Sequence, residues 1–370
     1  MNKFEKFENA IHLGPVTCKQ DIPVYAHMCC YAAVGAGVTQ KDLFSSNEAW
    51  LNAMVKTYEH LGVDPDVVFP MGPADVTFIE QMKVKIPGRE LGDNEMFQFI
   101  EQEIMTPDDY QTIIDHGFMA WQMPFVASIQ TPPIPADEHM FENVGKRFMQ
   151  AGMNAGMNTG FWAQRGVPTF FQGGTAPAFD TFSMSRGMQN FFYDVFDEPE
   201  LVKAACDAAT PAIIGTALQN ARPGSKIAIF AMRSSATFIS PDMFEEFVWP
   251  NLKQMIEAFH AHQVTSVIHA DANWLPMLPY FQEVPKGSCI IELDGDTDIV
   301  KAKEILNGYQ CIRGDLPPAI LAFEDAQATQ KYCDKLIDLA MDGGFIIGNG
   351  CEIPLNSKEE NLKTFLNCCR

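Results

Sequence analysis

An eight-stranded α/β barrel, (β/α)8, is the fold class this sequence predicts. Short runs rich in Val, Ile and Phe recur eight times, and each is followed by an amphipathic stretch of helical length. That alternation is the rhythm of β/α units feeding a parallel sheet. The chain has 370 residues, more than the ~150 of a typical domain, but α/β barrels routinely run larger as single units.

The expected strands cover 23–28, 66–71, 167–173, 226–232, 264–271, 288–295, 309–316 and 343–351. Helix starts are marked by an acid or Ser ahead of Pro, or by an acid alone. Asp197-Glu198-Pro199 opens a helix towards Asn220, Ser240-Pro241 opens one through His260, and Asp325 leads one through Met341. The segment 84–165 is long for one connection and is expected to hold extra helices at 95–104, 108–116 and 139–158, capping one mouth of the barrel. Within it Gly152, Gly156 and Gly160 fall four apart, which lays bare backbone along one helix face. Close helix packing is the expected use, because no Gly-Lys-Ser/Thr or strand-to-helix GxGxxG accompanies them. Without a long repeat or linker, the reading is one barrel domain over 1–370 with a helical insertion at 84–165.

Charge narrows the function. Lys and Arg number 26 against 47 Asp and Glu, a net charge of −21, and so acidic a surface repels phosphate backbones and anionic lipid headgroups. Nucleic acid and membrane are therefore not expected partners. Only eight residues are Arg, none before Arg89, so the first quarter of the chain offers no guanidinium to clamp a polyanion. No run of ~18 apolar residues occurs and the first ten residues lack the apolar stretch of a signal peptide; a cytoplasmic protein is expected. Its ten cysteines are then reduced thiols, and no CxxC pair is present.

Barrel active sites lie at the C-terminal ends of the strands. There the fifth strand ends His269-Ala270-Asp271-Ala272-Asn273-Trp274, the sixth carries Glu292 and Asp294, the seventh carries Cys311, and the eighth ends Gly350-Cys351-Glu352. Alternation puts His269 and Asp271 on one face, and likewise Glu292 and Asp294. Two thiolates with a carboxylate or imidazole suit Zn²⁺ with one position left open, whereas Mg²⁺ or Ca²⁺ would not recruit cysteines. Cys351 and Cys311 are the candidate thiolates. Glu292 and Asp271 are candidate acids for the metal, for substrate or for a supporting role, and His269 ligates or hydrogen-bonds. Cys206, Cys289 and Cys333 read as apolar filler, and the vicinal pairs Cys29-Cys30 and Cys368-Cys369 carry no assigned role.

These residues resemble the uroporphyrinogen decarboxylase superfamily, and within it the corrinoid-dependent methyltransferases. The resemblance is carried by Phe238-Ile239-Ser240-Pro241-Asp242-Met243-Phe244, the strand ending at His269, Gly314-Asp315-Leu316-Pro317-Pro318, and Gly343-Gly344-Phe345-Ile346 running to Gly350-Cys351-Glu352-Ile353-Pro354. Weaker similarity reaches back through 167–200 to 66–73. It implies that superfamily's barrel and a zinc site. Members that methylate coenzyme M hold zinc through His-x-Cys on the fifth strand and a Cys in a final Gly-Cys-x-x-Pro-like segment. Cys351 matches the latter and His269 the start of the former; Asp271 departs from it. Cys311 is taken as the replacement thiolate, as in the methyltransferase components of aryl-ether O-demethylases, and Glu292 as the acid that completes Glu292, Cys311 and Cys351. Asp271 is the alternative acid, while Glu283 is expected near the opposite mouth.

The implied activity is transfer of methyl from a small aromatic methyl ether to the Co(I) of a corrinoid. The chain lacks Asp-x-His-x-x-Gly, the corrinoid-binding signature, so cobalamin is expected on a partner protein. A homodimer is a further expectation. Catalysis is assigned to Glu292, Asp271 and His269, and substrate contacts to Asn273, Trp274, Met28, Met71 and Phe171. The decarboxylase activity is disfavoured because its Arg-Gln-Ala-Gly-Arg motif is missing from Pro23 to Ala33.

Overall fold

A computed structural model of the chain describes residues 1–72 and 82–370; Pro73, at the end of the most remote similar stretch, lies outside them. The strands in chain order are β1 (Val24–Ala26), β2 (Val67–Val68), β3 (Lys83–Lys85), β4 (Gln98–Ile100), β5 (Gly173–Thr175), β6 (Lys226–Phe230), β7 (Thr265–Ala270), β8 (Cys289–Leu293), β9 (Cys311–Leu316) and β10 (Phe345–Asn349). Eight of them form one parallel sheet in the order β2-β1-β10-β9-β8-β7-β6-β5, the (β/α)8 barrel that the alternating pattern predicts. Strands buried on both faces read as unbroken apolar runs, as in Ile227-Ala228-Ile229 and Phe345-Ile346-Ile347, all nearly inaccessible to solvent.

The seam between β2 and β5 is where expectation and structure differ in detail. Residues 167–173 do not form one strand. Thr169 bridges Val68 on one side, with Val68 N–H donating to the Pro168 carbonyl at 3.1 Å and Phe170 N–H to the Val68 carbonyl at 2.9 Å. Gly173 to Thr175 pair with β6 on the other. Gln172 spans the step: its amide donates to the Thr169 carbonyl at 3.2 Å and accepts from Lys226 N–H at 2.8 Å. The side chain supplies hydrogen bonds that a continuous strand would have made with its backbone.

Helices sit where the capping signals place them. Pro199–Leu218 follows Glu198, Ala326–Ala340 is capped by Asp325, and Pro241–Met243, capped by Ser240, continues through a wider turn at Phe244–Val248 into Trp249–Ala261. By length and composition alone Pro199–Leu218 could cross a membrane. Here its Val202, Ala205, Cys206, Ala209 and Ile213 are buried, the spacing of a helix face turned to a core.

The insertion holds two of its three expected helices, as Pro107–His116 and Met140–Ala163. The third, at 95–104, is instead the strand β4, paired antiparallel with β3 so that Val84 faces Phe99. Its Phe97 and Phe99 alternate at strand spacing and their rings meet at 5.2 Å, a period-2 signal hidden by the helix-forming Glu and Gln around it. A further helix, Phe118–Ile129, was not expected because Phe-Met-Ala-Trp-Gln-Met-Pro-Phe is apolar on all sides and shows no periodicity. The glycine face is also corrected: added Cβ atoms at Gly156 and Gly160 would meet nothing within 4 Å among the described residues, and at Gly152 only the Asn220 amide at 3.5 Å.

A different glycine is tightly constrained. At Gly348 in β10 a Cβ would lie 2.2 Å from Nε of the buried Arg313. Gly348→Ala is therefore expected to destabilise the protein by about 1–3 kcal/mol through overpacking. The check is the urea unfolding midpoint; an unchanged midpoint would mean that the strand and guanidinium relax freely.

Candidate metal and active site

The site grows out of the register of β7, β8 and β9. His269 lies opposite Glu292, and Glu292 opposite Arg313, so three polar residues on neighbouring strands meet inside the barrel near its C-terminal mouth. His269 Nδ1 is 2.8 Å from Glu292 Oε2, and its Nε2 is 3.3 Å from Asp271 Oδ1. The Cys351 thiol, just past β10, lies beside the His269 ring. His269, Asp271 and Cys351 thus offer one nitrogen, one oxygen and one sulfur, all within 4.8 Å of one another.

Each donor is fastened by the loops around it. The Asp271 carbonyl accepts from Trp274 Nε1 at 3.0 Å. Next to it Ala272 adopts φ +65°, a strained conformation for a residue with a Cβ. It is held by its N–H donating to Asp294 at 2.6 Å and its carbonyl accepting from Thr297 Oγ1 at 3.1 Å. The Cys351 carbonyl accepts from Asn349 Nδ2 at 2.5 Å. Glu352 then accepts from the backbone N–H groups of Cys29, at 3.0 Å, and Cys30, tying the Cys351 loop to the start of the helix Tyr31–Ala36.

Electrostatics follows from Glu292, which is 3% exposed. Burial alone would raise its pKa, but the Arg313 guanidinium at 3.1 Å and the His269 ring pull it down to about 2. For His269, burial opposes protonation, and the Asp271 and Glu292 carboxylates outweigh it, holding the imidazole well above its ordinary range. His27, whose Nδ1 lies 4.0 Å from Glu292 Oε1, is pushed down to about 3 by burial and stays neutral. A metal at His269 Nε2 would displace a proton and leave Nδ1–H donating to Glu292, the carboxylate–histidine support typical of zinc sites. The donor set fits Zn²⁺ with a fourth position open.

Of the expected metal set, the structure places Cys351 beside His269 and Asp271, and Glu292 behind His269 rather than among the three donors. Cys311 is elsewhere. It opens β9, and Ile312 is paired with Phe345, so Cys311 sits at the N-terminal mouth, roughly 20 Å from Cys351 at ~3.3 Å per strand residue. Burial pushes its thiol far above the ordinary range, which makes it apolar filler. Glu283 accepts from Trp249 and Lys253 at 3.2 and 2.9 Å and takes no part in the site.

Of the five expected substrate contacts, Trp274, Met28 and Phe171 are buried, Met71 is half-buried and Asn273 is exposed. Trp274 is wholly buried against Phe244 and Phe281; Asn273 accepts from Leu275 N–H at 3.0 Å and caps its own turn. Met28 is in the core, Met71 packs against it, and Phe171 meets Phe69 and Phe230 edge-on in an aromatic floor. A cavity of about 230 Å³ is instead lined by Met82, Phe99, Glu101, Met184, Met232 and Arg233. Phe230 joins it to the site: the ring packs against the cluster of Met82 and Met184 and lies 5.5 Å from that of His269.

Sequence reasoning missed His27, Arg313 and this cavity. Strand alternation would have paired His27 with Tyr25 as inward-facing, in place of Met28. An Arg two residues into a buried strand, one strand away from an acid, was a signal for a buried ion pair.

A parallel barrel whose strand ends bring together a His/Asp/Cys triple is an enzyme scaffold of the TIM-barrel class with a candidate metal site at its mouth. Residues 173–370 match the uroporphyrinogen decarboxylase (URO-D) family, and the chain belongs to it. Uroporphyrinogen decarboxylase 2, chloroplastic, of Oryza sativa subsp. japonica is 25% identical over 179 residues, covering 47% of this chain and 44% of that protein. Methylated-thiol–coenzyme M methyltransferase of Methanosarcina mazei is 23% identical over 204 residues, covering 53% and 51%. The chain spans about half the length of the curated relatives it matches. A solved methyltransferase from Methanosarcina mazei shares the fold at a TM-score of 0.67 and 13% identity, covering 100% of this chain and 98% of that one.

Removing the partner of a buried charge costs about 3–5 kcal/mol, so Arg313→Met is expected to lose that much stability at pH 7. Glu292 would then titrate at a higher pH and shed its buried charge as acid is added. The stability gap to the unaltered protein should therefore narrow as pH falls. Denaturant unfolding at pH 7 and pH 4 measures it, and a gap that widens in acid would contradict the pairing.

Proposed function

We propose that this chain is a zinc-dependent methyltransferase, a single barrel domain working in the cytoplasm, that takes methyl from a methoxylated phenol and passes it to the cobalt of a corrinoid on a separate protein. The observation that carries the reading is the convergence of His269, Asp271 and Cys351 at the mouth, with Glu292 on the far nitrogen of the same imidazole. Likeness in sequence to a Methanosarcina methyltransferase supports methyl transfer. Charge speaks against a porphyrinogen with many carboxylates. Glu101, Asp271 and Asp294 stand at this mouth, and Arg233, on the cavity wall, is already paired with Glu101 at 3.1 Å.

Zinc held by these three donors would act as a Lewis acid on the ether oxygen and so favour departure of the phenolate. The chain's own residues do the rest. Glu292 fixes the tautomer and orientation of His269, and Arg313 keeps Glu292 ionised inside the barrel. Asp271, standing where coenzyme M methylases place a second thiolate, makes the donor set harder and better matched to an oxygen ligand than to sulfur. Met82, Phe99, Met184 and Met232 would offer an apolar wall next to Phe230 for an aromatic ring.

Metal analysis and methyl transfer test this together. Cys351→Ala and Asp271→Asn are expected to lose most bound zinc, Glu292→Gln to weaken affinity about 10–100-fold, and Cys311→Ala to retain it. A panel of methoxylated phenols with reduced corrinoid should show cobalt methylation that rises when the corrinoid protein is supplied. Methylation of coenzyme M in its place would assign the thiol-directed branch, and metal-free conversion of a porphyrinogen would overturn the proposal.

A further inference from the structure

The adjacent thiols of Cys29 and Cys30 meet a carboxylate from the other end of the chain. We propose that Cys29, Cys30 and Glu352 form a second metal site, a thiolate-rich Zn²⁺ site that clasps the turn bearing Cys351. It shares no donor with His269, Asp271 and Cys351, and it is independent of the methyl-transfer reading.

The donors come from two segments that the backbone already holds together. Cys29 and Cys30 lie between β1 and the helix Tyr31–Ala36, and Glu352 follows β10, the parallel neighbour of β1. His27 N–H donates to Asn349 Oδ1 at 2.9 Å, and Ile353 N–H donates to the His27 carbonyl at 3.1 Å. Between these two ties Glu352 Oε1 accepts from Cys29 N–H, at 3.0 Å, and from Cys30 N–H. The carboxylate is thus aimed at the cysteines before any ion arrives, the preorganisation that a specific site needs. Oε2 takes neither of those two bonds, and a carboxylate offers about four lone-pair positions, so the group keeps the capacity to bind a cation.

Distance and chemistry choose the ion. Both sulfurs and a Glu352 oxygen lie within 4.8 Å of one another, a span that a single ion with bonds of ~2.0–2.3 Å can bridge. A buried cysteine usually serves as apolar filler, but filler needs no carboxylate beside it. Glu352 is half-buried and forms no ion pair with Lys, Arg or His among the described residues; a bound cation supplies that countercharge, and the open side of Glu352 is its way in. Two thiolates select against Mg²⁺ and Ca²⁺, and the carboxylate selects against Cu⁺, which prefers sulfur alone. Zn²⁺ accepts both donor types. Because Glu352 already spends one oxygen on backbone N–H groups, this site fills after the triple at His269. Cys351 and Glu352 are consecutive, so an ion here pins the Cys351 turn to the start of the helix Tyr31–Ala36.

Zinc titration of the purified full chain tests the site without turnover. At saturation the chain should hold about two equivalents, one for each donor triple. The double variant Cys29→Ser, Cys30→Ser should lose the later-filling equivalent while Glu352 keeps its backbone bonds, and Cys351→Ala should lose the earlier one. Cd²⁺ gives a spectroscopic signature: the ultraviolet thiolate-to-Cd²⁺ absorption that survives Cys351→Ala should vanish when Cys29 and Cys30 are also replaced by Ser. Should the double variant fail to fold, judged by its urea midpoint, phenylarsine oxide, which bridges adjacent thiols, should block one equivalent in the unaltered chain. Zinc uptake left undiminished by the route taken overturns the site. The two metal assignments fail separately. A single equivalent that survives Cys351→Ala but departs with Cys29 and Cys30 supports this site and retires the triple at His269, and a single equivalent with the opposite response retires this site alone.

Discussion

A carboxylate that stays ionised inside a barrel core dictates much of what surrounds it. Glu292 is buried on all sides, and a lone charge there would be prohibitively costly. Arg313 supplies the countercharge, and its own bulk then requires Gly348 on the neighbouring strand, the Tyr25 ring 4.7 Å below the guanidinium, and the Gly350 carbonyl 2.6 Å from Nη1. On the opposite side the same carboxylate anchors His269. Five strands are thereby joined through the Glu292–Arg313 pair, and the candidate metal donors are positioned around it. Core packing and site geometry are the same problem in this barrel.

Departures from the family pattern follow the same logic. Where coenzyme M methylases carry His-x-Cys, this chain carries His269-Ala270-Asp271. The exchange keeps three donors in reach of one point and changes their chemistry from sulfur towards oxygen. Compensation by a thiolate from β9 is not needed, since His269, Asp271 and Cys351 converge without it.

Much of this was legible in the chain itself. Seven of the eight apolar runs located strands because parallel barrel strands are buried on both faces, the run 167–173 meeting β5 only at Gly173, and helix caps such as Asp325 and Ser240 act locally. His269, Asp271, Glu292 and Cys351 were readable because strand ends in a barrel point to one mouth. Cys311 misled because a strand has two ends and a run of apolar residues does not mark where pairing starts; only the register of β9 on β10 puts it at the far mouth. Trp274 and Met28 misled because adjacency in sequence to a site is not exposure to it. The cavity was invisible for another reason. Its lining comes from three places far apart in the chain, the β3–β4 hairpin, the helix Ala178–Arg186 and the loop after β6, and no local pattern links Phe99 to Arg233.

The hairpin β3–β4 deserves a last consideration. It contributes Met82, Phe99 and Glu101 to the cavity, yet among the described residues its two strands pair only with each other and stand outside the barrel sheet. The candidate metal donors, by contrast, are all rooted in barrel strands or the turns that leave them. The cavity wall is thus shared between this hairpin, the helix Ala178–Arg186 and the turn after β6, whereas no candidate metal donor lies on the hairpin. A hairpin of different length or composition could therefore reshape that wall without disturbing Glu292 and its partners.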